Sequence, residues 1–453
     1  MKMTRPIVAI ILASFVAGTS GAAERIDSVP DADGWQAFAP RLEIAPAFAS
    51  HTDNGKLHLI IQSENREGTD GFWQKAFPVV GGQWVRFTAK RQVENVGTPR
   101  RAAAVRVAWK DAKGRPVKWP EPVMSSYRNG EMPPAVPEEP TDGPTDDHGW
   151  TTVGGHYRVP DGATQAVVEL HLRWAPGGKI TWRDITIVGT EPPAGRKVRL
   201  AAVHYRPKGG TTPMDNYVQY EPLIAEAARQ RADLVCLGEM INVYNNAYKD
   251  RIAEGAEPIP GPATDYFGAL AKKHNIYIVA GLYERVAPLV YNVAVLMGPD
   301  GSLVGKYRKV TLPRGELDNG VAPGNDYPVF DTRFGKVGMM VCYDAFFPEV
   351  ARHLSNRGAD VIALPVAGCN PKLAAARAIE NHIYLVSSAY TESSANWIRS
   401  GVFDHTGQML VAAEDWGTVV TAEVDLDKTT YWYSIGDFKS RIPRERPLWG
   451  DAD

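Results

Sequence analysis

Gly335-Lys336-Val337-Gly338-Met339-Met340-Val341-Cys342-Tyr343-Asp344-Ala345-Phe346-Phe347-Pro348-Glu349 is the stretch whose reading decides the fold. An apolar run of strand length ends at Cys342. Pro348, whose fixed φ suits a first helical turn, then opens a helical pattern over 349–356 that Gly358 closes. Strand, sharp turn and helix form the repeating unit of a layered α/β sheet. Such a turn holds the Cys342 sulfur at a strand tip. Backbone N–H groups there can face a developing oxyanion, and the nearby helix N-terminus favours a thiolate. A lone cysteine after an apolar strand is more often a small buried hydrophobe, so Cys342 alone decides nothing.

The same rhythm extends on both sides. Strands are expected over 198–204, 233–237, 276–281, 336–341, 361–364 and 383–389, and helices over 222–231, 265–274, 349–356 and 372–382. Residues 291–297 and 303–309 flank Gly298-Pro299-Asp300-Gly301, a hairpin turn. This predicts an α/β layered domain over 197–453. The preceding residues have another rhythm. Aromatic and β-branched clusters over 72–79, 83–90, 103–109, 167–174 and 180–188 are separated by turns such as Val80-Gly81-Gly82 and Asp111-Ala112-Lys113-Gly114. They predict an all-β sandwich over 24–190. Between 119 and 149 the chain turns rich in Pro, Glu and Asp and reads as a long projecting loop. Glu191-Pro192-Pro193-Ala194-Gly195 reads as the linker.

Totals narrow the function. A length of 453 residues makes two domains the default, and 44% hydrophobic with 23% charged residues fits globular domains. Fifty basic against 52 acidic residues leave a net charge of −2, so no nucleic-acid partner is expected. Lys2 and Arg5, an apolar run over 7–17 and Gly21-Ala22-Ala23 read as a signal peptide over 1–23, hence a periplasmic or extracellular protein. The three cysteines, Cys236, Cys342 and Cys369, leave at least one free thiol in an oxidising compartment.

Two more polar residues end apolar strands. Glu239 closes Leu234-Val235-Cys236-Leu237-Gly238-Glu239, and Lys309 closes Lys306-Tyr307-Arg308-Lys309. Alone, the first reads as a solvated carboxylate and the second as a charged strand edge. Together with Cys342 they make what thiol acyl transfer needs. Glu takes the thiol proton and returns it to the leaving amine, Cys carries the acyl group, and Lys holds the oxyanion.

These motifs, in this order, resemble the nitrilase (carbon–nitrogen hydrolase) superfamily over about 198–424. Tyr291-Asn292-Val293-Ala294, Tyr307-Arg308-Lys309, Cys342-Tyr343-Asp344 with Phe347-Pro348-Glu349, Arg357-Gly358-Ala359-Asp360 and Arg377-Ala378-Ile379-Glu380-Asn381 carry the likeness. The resemblance implies an α-β-β-α sandwich and no cofactor or metal. It also implies a homodimer or larger oligomer and the roles of base, charge stabiliser and nucleophile for Glu239, Lys309 and Cys342. It adds Glu316 as an assisting glutamate and the Tyr343 N–H as a second oxyanion donor. Gly238 stands where a proline is common, Thr311 where many members carry His, and Ala367-Gly368-Cys369-Asn370 where many carry a Trp.

The first half resembles a galactose-binding or carbohydrate-binding jelly roll in Trp109-Lys110-Asp111, Gly149-Trp150, Val159-Pro160-Asp161-Gly162-Ala163 and Trp182-Arg183-Asp184-Ile185. A glycan or cell-surface ligand is then a candidate partner, although such motifs are structural and sugar binding does not follow from them. The expected substrate is a small amide or N-carbamoyl compound. The alternatives are a nitrile, or a surface-binding protein whose hydrolase domain is inactive. No His-Glu-x-x-His, Gly-x-Ser-x-Gly or phosphate loop is present.

Overall fold

The computed structural model describes residues 23–119, 121–123, 128 and 130–447. The signal-peptide reading lies outside the described residues except at Ala23. The chain divides into two compact units, Met1–Pro120 with Pro134–Pro192, and Glu121–Pro133 with Pro193–Asp453.

The first unit is built mostly of strands in two antiparallel sheets. Asp70–Pro78, Gln165–Arg173 and Val105–Lys110 lie in a five-stranded sheet. Lys179–Thr190, Trp84–Glu94 and Thr151–Arg158 lie in a six-stranded one. Along Trp84–Glu94 the inward residues Val85, Phe87 and Ala89 alternate with more exposed ones, as a half-buried strand requires. Trp73 joins the sheets: its indole N–H donates to the Ile60 carbonyl at 3.1 Å and its ring meets Phe48 edge-on at 5.3 Å.

Two expectations change. Lys56–Gln62 pairs with Ala47–Asp53 through Asn54-Gly55, both at positive φ, a hairpin the sequence reading passed over. The stretch 119–149 is not one long loop. Thr141–Thr145 pairs with Thr151–Arg158, and Glu121–Pro133 belongs to the second unit, where the Arg128 guanidinium lies 4.9 Å over the Tyr433 ring. Thr141–Thr145 is exposed throughout, so no alternation could reveal it. Asp142 is drawn in by buried Arg91, at 2.8 and 2.6 Å.

The second unit contains two six-stranded sheets. The first holds β1 (Lys197–His204), β2 (Leu234–Cys236), β3 (Tyr277–Val286), β4 (Leu289–Met297), β5 (Leu303–Arg308) and, out of sequence beside β1, Thr418–Asp425. The second holds β6 (Val329–Asp331), β7 (Lys336–Met339), β8 (Val361–Val366), β9 (Tyr384–Ala389), β10 (Gly401–Phe403) and β11 (Met409–Ala412). Each centres on three parallel strands, β1-β2-β3 and β7-β8-β9, flanked by antiparallel ones.

Alternation along β1 explains the layers. Val198, Leu200 and Ala202 enter a core shared with Val337, Met339 and Val361 of the second sheet. Ala201 and Val203 face the other way, toward α1 (Glu221–Arg229) and α2 (Pro262–His274). Helix α3 (Arg314–Asp318) follows β5. Helices α4 (Pro348–Asn356) and α5 (Pro371–Asn381) add Val350, Leu354, Ala374 and Ala378 to the shared core. The layers therefore run helix, sheet, sheet, helix. Burial on both faces is why the parallel strands read as continuous apolar runs.

Candidate active site

The site forms where β2, β5, β7 and β8 end. Gly238 accepts the Gly281 N–H at 3.0 Å, which fixes the chain as it leaves β2 and turns the Glu239 side chain inward, wholly buried. Glu239 Oε1 accepts from Asn292 Nδ2 at 2.9 Å and Lys309 Nζ at 3.2 Å, and Oε2 accepts the Ala367 N–H at 2.7 Å.

Lys309, just after β5, is pinned because its N–H donates to the Asn292 carbonyl at 2.8 Å. Its ammonium also donates to Glu316 Oε1 at 2.9 Å, so it lies between two carboxylates. Burial works against its charge, but Glu239, Cys342 and Glu316 outweigh that and push its pKa above the ordinary lysine value. Glu316, on α3, also accepts from Asn292 Nδ2 at 2.6 Å and the Tyr283 hydroxyl at 3.3 Å. Burial raises its pKa, reinforced by the charge of Glu239 and opposed by Lys309 and Asn292.

Cys342 opens the 3-10 turn Cys342–Phe346 with φ +46, a left-handed conformation that non-glycine residues adopt rarely and at a cost. What holds it is Asp344, fully buried beneath the turn. That carboxylate accepts from Val341 N at 3.0 Å, Thr311 N at 3.0 Å, Thr311 Oγ1 at 2.5 Å and the Tyr307 hydroxyl at 2.7 Å. Thr311 therefore braces the turn. The Tyr343 ring lies tilted against Phe346 and edge-on to Phe347, at 5.2 and 5.3 Å between centroids. All three cysteines are free, but Cys236 and Cys369 are buried and only Cys342 is partly exposed.

A helix N-terminus favours a thiolate, yet burial first, and then the negative charge of Glu239, push the Cys342 pKa above the ordinary thiol value against the pull of Lys309. That shift favours the thiol over the thiolate. Its Sγ lies 3.6 Å from the Gly368 carbonyl oxygen, and the adjacent Ala367 N–H holds Glu239, so one short backbone segment touches both groups.

Glu239, Lys309 and Glu316 thus meet directly, with Cys342 within electrostatic reach of Glu239 and Lys309. Asn292, Asp344 and Tyr283 are the supports that sequence reasoning missed. A polar Asn292 inside the apolar β4 was a signal, since a buried amide needs partners. Among the described residues no cluster of three or more His, Cys, Asp or Glu side chains is arranged to hold a metal ion. The arrangement offers a thiol, a carboxylate fixed by three hydrogen bonds and an ammonium held between two carboxylates.

A carbon–nitrogen hydrolase profile matches residues 199–434. A nitrilase of Pyrococcus abyssi is 41% identical over 197 residues, covering 42% of this chain and 74% of its own. An omega-amidase of Mus musculus is 32% identical over 250 residues, covering 51% of this chain and 87% of its own. Among solved structures, a Saccharomyces cerevisiae member of branch 10 of the nitrilase superfamily aligns with 51% of this chain and 90% of its own, at 25% identity and a TM-score of 0.45.

Proposed function

The chain belongs to the carbon–nitrogen hydrolase family, and on that premise we propose that it hydrolyses a non-peptide C–N bond, an amide or N-carbamoyl group, through an acyl-enzyme on Cys342. Glu239 takes the thiol proton as Sγ attacks the carbonyl carbon. The oxygen, now negative, is met by Lys309 Nζ and the Tyr343 N–H. The C–N bond breaks, the nitrogen leaves as ammonia or amine with the proton from Glu239, and a thioester remains. Glu239 then deprotonates a water that attacks the thioester, releasing the acid and restoring the thiol. Glu316 and Asn292 hold Lys309 in place throughout.

The observation that carries this reading is Lys309, charged and buried between Glu239 and Glu316 beside a thiol whose proton must be removed. A panel of amides, N-carbamoyl amino acids and nitriles, followed by ammonia release, tests it. Turnover of amides or carbamoyl compounds is expected, and no turnover of any class would refute it. Nitriles are the second reading, favoured by the relative named a nitrilase. They require ammonia to leave from a thioimidate instead.

We also read the protein as exported. N-terminal sequencing from the native host should find a mature chain beginning near Glu24, and an intact Met1 on a cytoplasmic protein would refute this.

A further inference from the structure

Glu239 and Cys342 come from different sheets, so their relative position depends on what ties the two sheets together at this end. One tie comes from Tyr390, which directly follows β9 of the second sheet and reaches to the first. Its hydroxyl donates to the main-chain carbonyl of Glu239 at 2.7 Å. The ring is buried, with Tyr244 against it at 4.0 Å between centroids, and the Tyr220 hydroxyl lies 3.3 Å from its own.

This contact depends on residue 238. A Cβ placed there would lie 2.4 Å from the Tyr390 hydroxyl oxygen and 2.5 and 2.6 Å from two ring carbons. Gly238 is not among the residues at positive φ, so backbone conformation does not call for glycine. The ring does. Any side chain at 238, the ring of proline included, would displace Tyr390.

We propose that Gly238 and Tyr390 form a matched pair in which Tyr390 is a positioning residue for Glu239, an inference that rests on reading Glu239 as the base. Tyr390 anchors the main chain of Glu239, while Ala367, Asn292 and Lys309 anchor its carboxylate. With both ends fixed, the carboxylate is set against the thiol, and proton transfer is sensitive to that distance. Tyr390 itself stays away from substrate.

Steady-state and single-turnover kinetics on Tyr390→Phe, with thermal melting alongside, test the proposal. Loss of one buried hydrogen bond should lower kcat and the acylation rate by about 10-fold while KM stays within about twofold. Gly238→Ala should do the same, and should cost nothing further in a Tyr390→Ala background, where no ring remains to displace. Wild-type kcat in Tyr390→Phe would overturn the proposal. So would a parallel change of kcat and KM with a lowered melting temperature, or a harmless Gly238→Ala. Glu239→Gln separates the two levels. If it is inactive while Tyr390→Phe is normal, only the positioning inference fails. If it remains active, the reading of Glu239 as base fails as well.

Discussion

Glu239 Oε2 accepts the Ala367 N–H at 2.7 Å, so the carboxylate carried by one sheet is held by the backbone of the other. Gly368, the next residue, accepts the Cys342 thiol at 3.6 Å. Glu239 and Cys342 are thus registered through two consecutive residues.

Cys342→Ala and Cys342→Ser should abolish turnover while the fold survives, because Asp344 and not the thiol holds the turn. Circular dichroism and melting should be near wild type. Activity retained in Cys342→Ala would end the mechanism.

Glu239→Gln and Lys309→Met should each lose a factor on the order of 10² or more in kcat, the usual size for an acid–base or oxyanion group. The double variant should fall far short of the product of the two losses, because the groups act as a unit. Ordinary kinetics in Glu239→Gln would require another base.

A small alkylating reagent should modify one thiol in the native protein and three in denaturant, since Cys236 and Cys369 are buried. Because the Cys342 pKa is raised above 9.0, its thiolate is scarce at neutral pH, and the labelling rate should still be climbing above pH 9. A rate that levels off below pH 8 would show an activated thiolate instead.

The His382 and His405 rings lie tilted against each other at 4.1 Å between centroids, and neither ring nitrogen of His382 has a hydrogen-bond partner. Burial, followed for His382 by Lys439 and for His405 by His382 and Lys439, lowers their pKa values to about 3 and about 2. Both folded values lie below 6.5, so the unfolded chain takes up protons first as the pH falls. Their contribution is complete above about pH 6.5 and is lost from there down to about pH 3, by at most about 1.4 kcal/mol per pH unit for each ring. His382 has φ +51, which asparagine tolerates. His382→Asn should therefore fold and lose less stability between pH 6.5 and 4 than the wild type in urea titrations. An unchanged acid limb would refute the assignment.

Much of the site was legible beforehand because buried apolar or aromatic residues lead up to each of its polar ones: β2 is wholly buried, β7 is buried after Lys336, and Tyr307 is buried within an otherwise half-buried β5. Glu239, Lys309 and Cys342 stand out against Leu234-Val235-Cys236, Tyr307 and Val341 for that reason. The supports were not legible. Asn292 reaches Glu239 and Glu316 only through the register of β4 between β3 and β5, and Asp344 gathers Tyr307 and Thr311 from the opposite sheet. Periodicity reports how one segment is buried, and it is silent on which segments meet. The burial that pushes the Cys342 pKa up was not legible for a related reason, since it follows from the whole fold.

The most direct measurement is to acid-quench the enzyme during turnover of a small amide, locate any adduct by peptide mass mapping, and measure ammonia in the same samples. The expected result is an acyl mass on Cys342, formed with one ammonia per thiol in the first turnover and absent from Cys342→Ala. Ammonia released with Cys342 never acylated, and released equally by Cys342→Ala, would contradict it.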